Sequence, residues 1–278
     1  MIDMKRIIVC LFFLCTAPDF ALCRSCASCT PAESAPVKSE KQLRIVAYNV
    51  GVFSKYTEDS MGDVAAMMKE LGADAVALCE LDSCNRRHAT YQLDDFRDLM
   101  GPGWDSWYGS AMQWSGGSYG IGALTSLPIQ DHFKIAIPRG EGHEPRACVV
   151  VETSAYVIAA VHLDHKNEHV RVEQARIVTS ELKSRYGRSR KPVFLCGDLN
   201  ATQDSPTLGQ LSEDWTVLSD AAPTYPADNP RICIDYILVL NNRARYQVLG
   251  GAVCTEFESA DVSKVSDHLP VFVDVKIR

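Results

Sequence analysis

Residues 105–162 read DSWYGSAMQWSGGSYGIGALTSLPIQDHFKIAIPRGEGHEPRACVVVETSAYVIAAVH, and this stretch decides the fold. Strand-like runs rich in β-branched and aromatic residues follow one another here, with glycine- and proline-bearing turns between them. These runs lie at 105–112, 119–126, 129–137, 147–152 and 155–162. No segment between them has the length and the 3.6-residue periodicity of a helix. Because a doubly wound parallel sheet needs a helix after nearly every strand, the stretch favours antiparallel hairpins.

Helical patterns flank this stretch on both sides. Residues 61–74 form an amphipathic pattern that Gly72 can end, and residues 91–100 form a second one. Asn167 can cap a long helix that runs to about Tyr186. Further strands are predicted at 43–50, 75–81, 192–200, 234–240, 246–253 and 269–277. We therefore predict an α+β fold, a four-layer αββα sandwich of two packed mixed sheets with helices outside. A doubly wound parallel sheet is the alternative.

The first 29 residues have the pattern of an export signal. A basic pair at positions 5–6 precedes an apolar run, residues 7–15, that is too short to span a bilayer. We therefore expect an exported protein, located in the periplasm, at the cell surface or in the medium. Residues 30–41 (TPAESAPVKSEK) are polar and contain prolines, which indicates a flexible linker. Residues 42–278 form the predicted folded domain.

The cysteines have two interpretations, according to their position. Cys23, Cys26 and Cys29 form a cluster just after the leader. This cluster is either a lipid-modified N-terminus, which would associate the protein with a membrane, or a plain stalk. Most of the later cysteines lie in apolar strand-like runs, where cysteine is often a small buried hydrophobe. We predict free thiols rather than a disulfide framework at Cys79, Cys84, Cys148, Cys196, Cys233 and Cys254.

The charge balance bears on the partners of the protein. The 278 residues carry a formal net charge of −7. An acidic surface does not attract a polyphosphate backbone, so broad nucleic-acid binding is possible in principle but not favoured. The basic run RYGRSRK, residues 185–191, follows the long predicted helix, and we interpret it as the solvated end of that helix. We expect a monomer.

Polar side chains follow the ends of several predicted strands. They are Asn49, then Glu80 and Asp82, then His162, Asp164 and His165, then Asp198 and Asn200, and finally Ser266, Asp267 and His268. Active sites of sheet proteins are assembled from such strand ends, far apart in sequence, so we expect these groups to converge. Asp235 lies inside an apolar strand-like run. Burying its charge without a partner is costly, so we expect a cationic or hydrogen-bonding partner.

In this order, the segments AYN, CELD, HL, GDLN, IDY and SDHLP resemble the linear signature of the endonuclease/exonuclease/phosphatase superfamily. The segments GSYGIGALTSLPI, EPRA, VRVEQAR and PTYPADNPR are similar to those of its exported bacterial members. The resemblance covers roughly residues 43–278. It implies Mg²⁺-dependent hydrolysis of phosphate esters, with Mn²⁺ as the alternative ion, by in-line attack of water and without a covalent intermediate. Where the superfamily often has Gln before the ligand Glu, this chain has Cys79.

The resemblance also implies roles for particular residues. Glu80, Asn49 and Asp267 match the metal site, where carboxylate and amide oxygens suit Mg²⁺. Asp198 matches the residue that orients or deprotonates the attacking water, and the side-chain amide of Asn200 can hold Asp198 or a phosphate oxygen.

Two histidines and one further acid complete the implied catalytic set. His268 matches the site histidine and Asp235 the acid that pairs with it, which favours an imidazolium able to donate to phosphate. His162 matches a second histidine that stabilises the phosphorane or assists the leaving group. Arg146 and Arg171 are candidate phosphate contacts, because guanidinium forks suit phosphate oxygens.

Three functions stay open from the sequence. The export signal and the aromatic, glycine-rich residues 104–119 favour a phosphodiesterase or phosphatase that acts on a lipid headgroup or small phosphoester. The second function is an extracellular nuclease, which the acidic charge disfavours. The third is a non-catalytic surface binding module, since a fold does not imply an activity.

Overall fold

The structure, a computed structural model, describes residue 38 and residues 42–278. The predicted export signal, the early cysteine cluster and, apart from Lys38, the predicted linker lie outside the described residues. Within the described part of the chain, no helix is long and apolar enough to cross a membrane.

Two six-stranded sheets carry the fold. The first sheet has the strand order β11-β12-β1-β2-β4-β3. Its strands are β1 (Leu43–Asn49), β2 (Ala75–Ser83), β3 (Asp105–Trp114), β4 (Gly117–Thr125), β11 (Tyr246–Val253) and β12 (Val271–Ile277). The second sheet has the order β5-β6-β7-β8-β10-β9. Its strands are β5 (Asp131–Ile135), β6 (Ala147–Glu152), β7 (Val157–His162), β8 (Val193–Asp198), β9 (Trp215–Val217) and β10 (Asp235–Leu240).

Among the described residues, five helices accompany the sheets, and two of them connect the parallel strand pairs. The five helices are α1 (Met61–Leu71), α2 (Gln92–Met100), α3 (Glu168–Tyr186), α4 (Pro206–Ser212) and α5 (Val262–Val265), with a 3₁₀ turn at Gly51–Phe53. Strands β1 and β2 are parallel and joined through α1, and β7 and β8 are parallel and joined through α3. All other strand pairs are antiparallel. The predicted caps are confirmed: Gly72 ends α1 in the left-handed conformation, and the Asn167 side chain accepts from the Val170 N–H at the start of α3.

Alternation along the strands produces three apolar layers. In β1, Val46 and Tyr48 pack outward against the helical layer, whereas Ile45 and Ala47 face the second sheet. In β6, Val150 faces α3 and its neighbours on the other side of that sheet, while the flanking valines face the first sheet. Each buried aliphatic side chain contributes roughly 1.5–3 kcal/mol of transfer free energy. Helices therefore cover both outer faces, and the predicted αββα sandwich is confirmed.

Several details differ from the sequence-based expectations. The short elements α4, α5 and β9 were not predicted, because segments of three to seven residues carry too little periodicity. Asp82, one of the polar groups expected to converge at the strand ends, is instead fully buried in a pair with Arg87, at 2.6 Å. The prediction of free thiols is confirmed for the six cysteines in the described residues.

Candidate active site

The carboxyl ends of the two parallel strand pairs meet at one edge of the sandwich. Asn49 ends β1, and His162 and Asp198 end β7 and β8 as direct neighbours in the register. The Asn49 Nδ2 atom donates to Asp198 Oδ2 at 3.1 Å, which joins the first sheet to the second. It also donates to Glu80 Oε1 at 3.1 Å. The structure thus brings together strand ends that lie far apart in sequence.

A break in strand β2 aims Glu80 at this edge. The pairing of β2 with β4 shifts register between Leu78 and Leu81, and Glu80 has a φ of +60°. A non-glycine residue at positive φ is uncommon, and bulges next to active sites commonly redirect a side chain. Without the shift, the side chain of Glu80 would follow the regular alternation of the strand between the two faces of the sheet. The bulge therefore determines the direction of its carboxylate.

The GDLN segment sets the position of Asp198. Gly197 has a φ of +142°, and a Cβ atom there would lie 2.0 Å from the Val161 carbonyl oxygen, so only glycine fits. Asn200, at φ +49°, donates its backbone N–H to Asp198 Oδ1 at 2.9 Å. Its amide Nδ2 donates to the Leu163 carbonyl at 3.1 Å. Asn200 therefore holds Asp198 through its backbone N–H and not, as predicted, through its amide, which hydrogen-bonds to the chain just after β7 instead.

Asp198 is buried beside two imidazoles. Its Oδ2 atom lies 3.4 Å from His162 Nε2 and 3.7 Å from His268 Nε2. Burial raises the pKa of Asp198 to about 7; the charge of Asp235 adds to this rise and the charge of His268 opposes it. A carboxyl group with a pKa near the working pH can both accept and release a proton, which suits a general base.

His268 is held by Asp235. The His268 Nδ1 atom lies 2.9 Å from Asp235 Oδ2, and the Thr224 hydroxyl donates to the same oxygen at 2.6 Å. Burial alone would lower the pKa of His268, but the carboxylates of Asp235 and Asp198 raise it to about 10. The ring is therefore an imidazolium at neutral pH, with one N–H toward Asp235 and the other toward Asp198. The expectation that Asp235 has such a partner is confirmed.

His162 has the opposite electrostatic environment. Burial, followed by the positive charge of Arg146, holds the pKa of His162 well below its usual range, so this ring is neutral. The Arg146 guanidinium reaches both neighbouring histidines, with Nη1 3.4 Å from His162 Nδ1 and Nη2 3.0 Å from His165 Nδ1. Arg146 is only 8% exposed, and its Nε atom is buried with no hydrogen-bond partner in the described residues. It borders the cluster from the β6 side.

Arg171, the other predicted phosphate contact, lies elsewhere. Its guanidinium donates to the Asp164 carbonyl at 3.1 Å and to Glu168 Oε2 at 2.6 Å, at the start of α3. These contacts tie the helix to the loop after β7. The structure does not bring Arg171 into the group around Asp198.

Asp267 and Glu80 form the oxygen-rich side of the site. The Lys55 ammonium contacts Asp267 Oδ2 at 2.7 Å. Although burial lowers it, the pKa of Lys55 is raised by the hydrogen bond to Asp267 and by the charges of Asp267 and Glu80. A positive charge is thus already favoured beside these carboxylates. The Asn49 side chain adjoins Glu80 through its Nδ2 atom, while its Oδ1 atom accepts from the Gly51 N–H at 3.2 Å. Hard oxygen donors of this kind fit Mg²⁺ or Mn²⁺.

A second close group, Asp198, Asp235 and His268, also has ligand atoms within 4.8 Å of one another. Here the imidazole lies between two carboxylates and hydrogen-bonds to Asp235. The positive charge of the protonated His268 already offsets the negative charge of these carboxylates. We therefore place the candidate cation beside Glu80 and Asp267.

Two contacting residues escaped the sequence analysis. Thr224 donates to Asp235, and its hydroxyl also accepts from the Ile234 N–H at 3.2 Å. Thr224 lies in the PTYPADNPR segment, so its position in a superfamily-like motif was the available signal. Lys55 follows the 3₁₀ turn after β1 as an isolated lysine, and nothing in the sequence marks it.

The sequence model of the Endonuclease/Exonuclease/phosphatase family matches residues 46–268 of this chain. The chain belongs to this family of hydrolases, whose members are generally dependent on divalent metal ions. Among curated proteins, no sequence matches the chain significantly.

Solved structures share the fold at low sequence identity. An endonuclease/exonuclease/phosphatase from Beutenbergia cavernae is 20% identical with a TM-score of 0.70, and the match covers 85% of this chain and 72% of that one. The mannosyl-6-phosphatase of Bacteroides thetaiotaomicron is 18% identical with a TM-score of 0.65, covering 84% and 99%. The human Nocturnin catalytic domain, with a bound sulfate anion, is 15% identical with a TM-score of 0.64, covering 86% and 94%.

Proposed function

We propose that this protein is a Mg²⁺-dependent phosphoesterase that hydrolyses a small phosphoester or a lipid headgroup, with Mn²⁺ as the alternative ion. The observation that carries the proposal is the position of Asp198. Its carboxyl group, with a pKa of about 7, lies between the neutral His162 and the imidazolium of His268, and Asn49 connects it to Glu80. A base, an acid and a cation site thus adjoin at one edge.

Each group has a defined task in this proposal. Asp198 accepts the proton of the attacking water, while the Asn200 N–H keeps the carboxylate in orientation. His268 donates from Nε2 to a phosphate oxygen, and Asp235 holds its ring and its charge. His162 assists the leaving group.

Glu80, Asp267 and Asn49 would hold the metal ion, which neutralises charge on the non-bridging phosphate oxygens. Lys55 would have to leave Asp267 when that ion binds, and its side chain is 41% exposed and able to move. Arg146 supplies a guanidinium fork to the phosphate from the other side of Asp198.

The favoured substrate class rests on charge and on one neighbour. The chain is acidic, which disfavours a long polyanion. One structure with the same fold is a mannosyl-6-phosphatase, whose name denotes a small phosphorylated substrate. The aromatic residues 104–119 contribute less than the sequence suggested, because Trp104, Trp107 and Tyr108 pack against the cores.

A substrate panel tests the proposal. Purified protein would be assayed with bis-p-nitrophenyl phosphate, a sugar phosphate, sphingomyelin, phosphoinositides and plasmid DNA, with Mg²⁺ and then with chelator. We expect Mg²⁺-dependent turnover of a small or lipid phosphoester, lost in Asp198→Ala. Plasmid nicking faster than all other reactions would replace the proposal with a nuclease. No turnover by a folded protein would replace it with a binding module.

We further propose that the protein is exported and acts outside the cytoplasm, on the evidence of the basic pair and apolar run in its first 29 residues. Cell fractionation of the full chain, compared with a chain that lacks residues 1–29, tests this. Equal amounts of both in the cytoplasm would contradict export. Loss of membrane association in Cys23→Ala, Cys26→Ala or Cys29→Ala would identify a lipid anchor.

A further inference from the structure

A cleft lined by arginines lies at the far end of the sandwich from the candidate active site. Its volume is about 630 Å³. The lining residues, here called the arginine cleft, are Arg190, Arg243, Ala244, Arg245, Tyr246 and Arg278. They come from the loop before β8, the loop between β10 and β11, and the C-terminus. Four guanidinium groups therefore surround one concave surface of a chain whose net charge is negative.

Register places the arginine cleft away from the catalytic edge. Asp198 is the last residue of β8, whereas Arg190 precedes its first residue, Val193. The antiparallel partner β10 starts at Asp235, opposite Asp198, and runs toward the cleft. At about 3.3 Å per residue, roughly 20 Å of strand separates the two places. The cleft cannot hold the same phosphate that meets Asp198.

The walls of the arginine cleft are fixed to one another. The backbone N–H of Arg243 donates to the Ser189 carbonyl at 3.2 Å, and the backbone N–H of Arg278 donates to the Arg245 carbonyl at 2.9 Å. The Asn242 amide donates to the Lys191 carbonyl at 3.0 Å and to the Tyr186 carbonyl at 3.1 Å. Backbone hydrogen bonds and the Asn242 side chain thus hold three chain segments together. The concave shape therefore does not depend on a ligand.

No carboxylate of the described residues pairs with a guanidinium group of the arginine cleft. In the described part of the chain, none of the four forms an ion pair, and the Arg278 guanidinium donates to the neutral Gln247 Oε1, at 2.5 Å. Some surface arginines elsewhere, such as Arg97 and Arg176, are paired with carboxylates. The cleft differs in that four guanidinium groups without such a pair line one concavity. Guanidinium stays charged at every physiological pH, so neighbouring unpaired groups repel one another until an anion joins them.

The basic run at 185–191 is therefore not only a solvated helix end. The Arg185 guanidinium lies over the Phe133 ring at 3.7 Å, and Lys191 pairs with Glu152. Arg190 is left facing the cleft. Arg185 and Lys191 thus make local contacts, whereas Arg190 adds its positive charge to the cleft.

We propose that the arginine cleft is a non-catalytic binding site for a phosphate-bearing anion. Planar guanidinium forks bind phosphate oxygens in pairs, and several around one concavity fit a group with more than one negative charge. The phosphate can come from a soluble phosphorylated compound or from the headgroups of an anionic membrane. Strand β1 begins at this same end, where Leu43 pairs with Val275.

The test compares two variants of the full chain that lose the same charge. Arg190→Gln, Arg243→Gln and Arg245→Gln together remove three cleft charges. The matched control, Arg97→Gln, Arg176→Gln and Lys264→Gln, removes three exposed charges that are already paired. Hydrolysis of bis-p-nitrophenyl phosphate and thermal unfolding should be unchanged in both, which shows that the site and the fold are intact. If the protein hydrolyses no substrate, thermal unfolding alone serves as this check.

Two probes distinguish the sources of phosphate. Tripolyphosphate, titrated by calorimetry, represents a soluble ligand. Co-sedimentation with vesicles of phosphatidylcholine, with or without phosphatidylglycerol, represents a membrane. An arginine near an anionic surface contributes about fivefold in binding, so the cleft variant should lose on the order of a hundredfold in whichever arm binds. The control should lose little.

The outcomes decide the proposal. Cleft-dependent binding of tripolyphosphate alone identifies a soluble phosphate, and cleft-dependent binding of anionic vesicles identifies a membrane surface. Absence of binding in both arms, or equal losses in the cleft and control variants, would overturn the proposal. None of these results depends on whether the protein hydrolyses any substrate.

Discussion

The two parallel strand pairs have the same construction but different chemical surroundings. In each sheet, one helix connects two parallel strands, and the second strand has a residue at positive φ near its end, Glu80 in β2 and Gly197 in β8. On the first sheet, the partly exposed ammonium of Lys55 pairs with Asp267 and feels the charge of Glu80. On the second sheet, buried Asp198 and its neighbours are joined to imidazoles.

This difference teaches how one scaffold separates two tasks. Carboxylates beside an exposed ammonium can exchange it for a metal ion without losing neutralisation. Carboxylates buried against imidazole rings exchange protons instead, because burial moves their pKa values toward neutrality. We infer that the first sheet contributes the cation side of the site and the second sheet the proton side. The following predictions test that division.

Asp198→Asn should have the largest effect, because it removes the base from the proton side. We expect kcat on the best substrate to fall by about a thousandfold or more, with little change in KM. Asp214→Asn, an exposed carboxylate bound to Lys183, is the control and should retain activity. A variant that keeps a tenth of the wild-type kcat would remove Asp198 from the chemistry.

Glu80→Gln should break the cation side while leaving the proton side intact. The loss of one charged oxygen ligand should raise the Mg²⁺ concentration needed for half-maximal activity on the order of a hundredfold. Excess Mg²⁺ should restore part of the rate, which it cannot do for Asp198→Asn. Glu173→Gln, on the exposed face of α3, provides the comparison. An unchanged Mg²⁺ requirement in Glu80→Gln would move the metal site elsewhere.

The sequence predicted the larger part of the architecture, because strand and helix patterns are local. The run at 105–162 indicated hairpins, and hairpins form β3 with β4 and β6 with β7. The segments GDLN and SDHLP indicated which strand ends carry polar groups. Their convergence followed from the rule that strand ends in a sheet meet at an edge.

Other features depend on contacts between distant segments, so the sequence could not predict them. The bulge that aims Glu80 arises from the pairing of β2 with β4. Thr224 reaches Asp235 across a loop, and Lys55 reaches Asp267 from the other end of the chain. The arginine cleft has the same origin, because its loops are neighbours only in the folded sandwich.

Asp235→Asn should shift the pH dependence of the proton side. Asp235 raises the pKa values of both His268 and Asp198, so its removal should move both limbs of the pH–rate profile to lower pH. His268, protonated up to about pH 10 in the wild type, should then titrate near its ordinary value of about 6.5. Since an imidazole with a pKa of about 6.5 is about 3% protonated at pH 8, we expect roughly a thirtyfold loss of kcat/KM at pH 8 and a much smaller one at pH 6.

The free energy of unfolding should also depend on the charge of His268. The pKa of His268 is higher in the folded protein than in the unfolded chain, so its stabilisation is complete below about pH 6.5 and is lost as pH rises through 10. Thermal unfolding of the metal-free proteins should show this alkaline loss in the wild type and a weaker one in Asp235→Asn. Parallel pH curves for the two would show that Asp235 does not set the charge of His268.

The smallest predicted effect concerns a contact between two loops that flank Arg146 and His162. His143 Nδ1 lies 2.8 Å from Asp164 Oδ2, and this pair ties the loop that precedes Arg146 to the loop that follows His162. His143→Ala should let Arg146 move. Because one hydrogen bond contributes about 1 kcal/mol, KM should rise about fivefold with kcat nearly unchanged. His143→Asn can still donate to Asp164 and should restore KM. A fall in kcat that His143→Asn does not restore would contradict this prediction. It would mean that the loop positions the groups around Asp198 and not only Arg146.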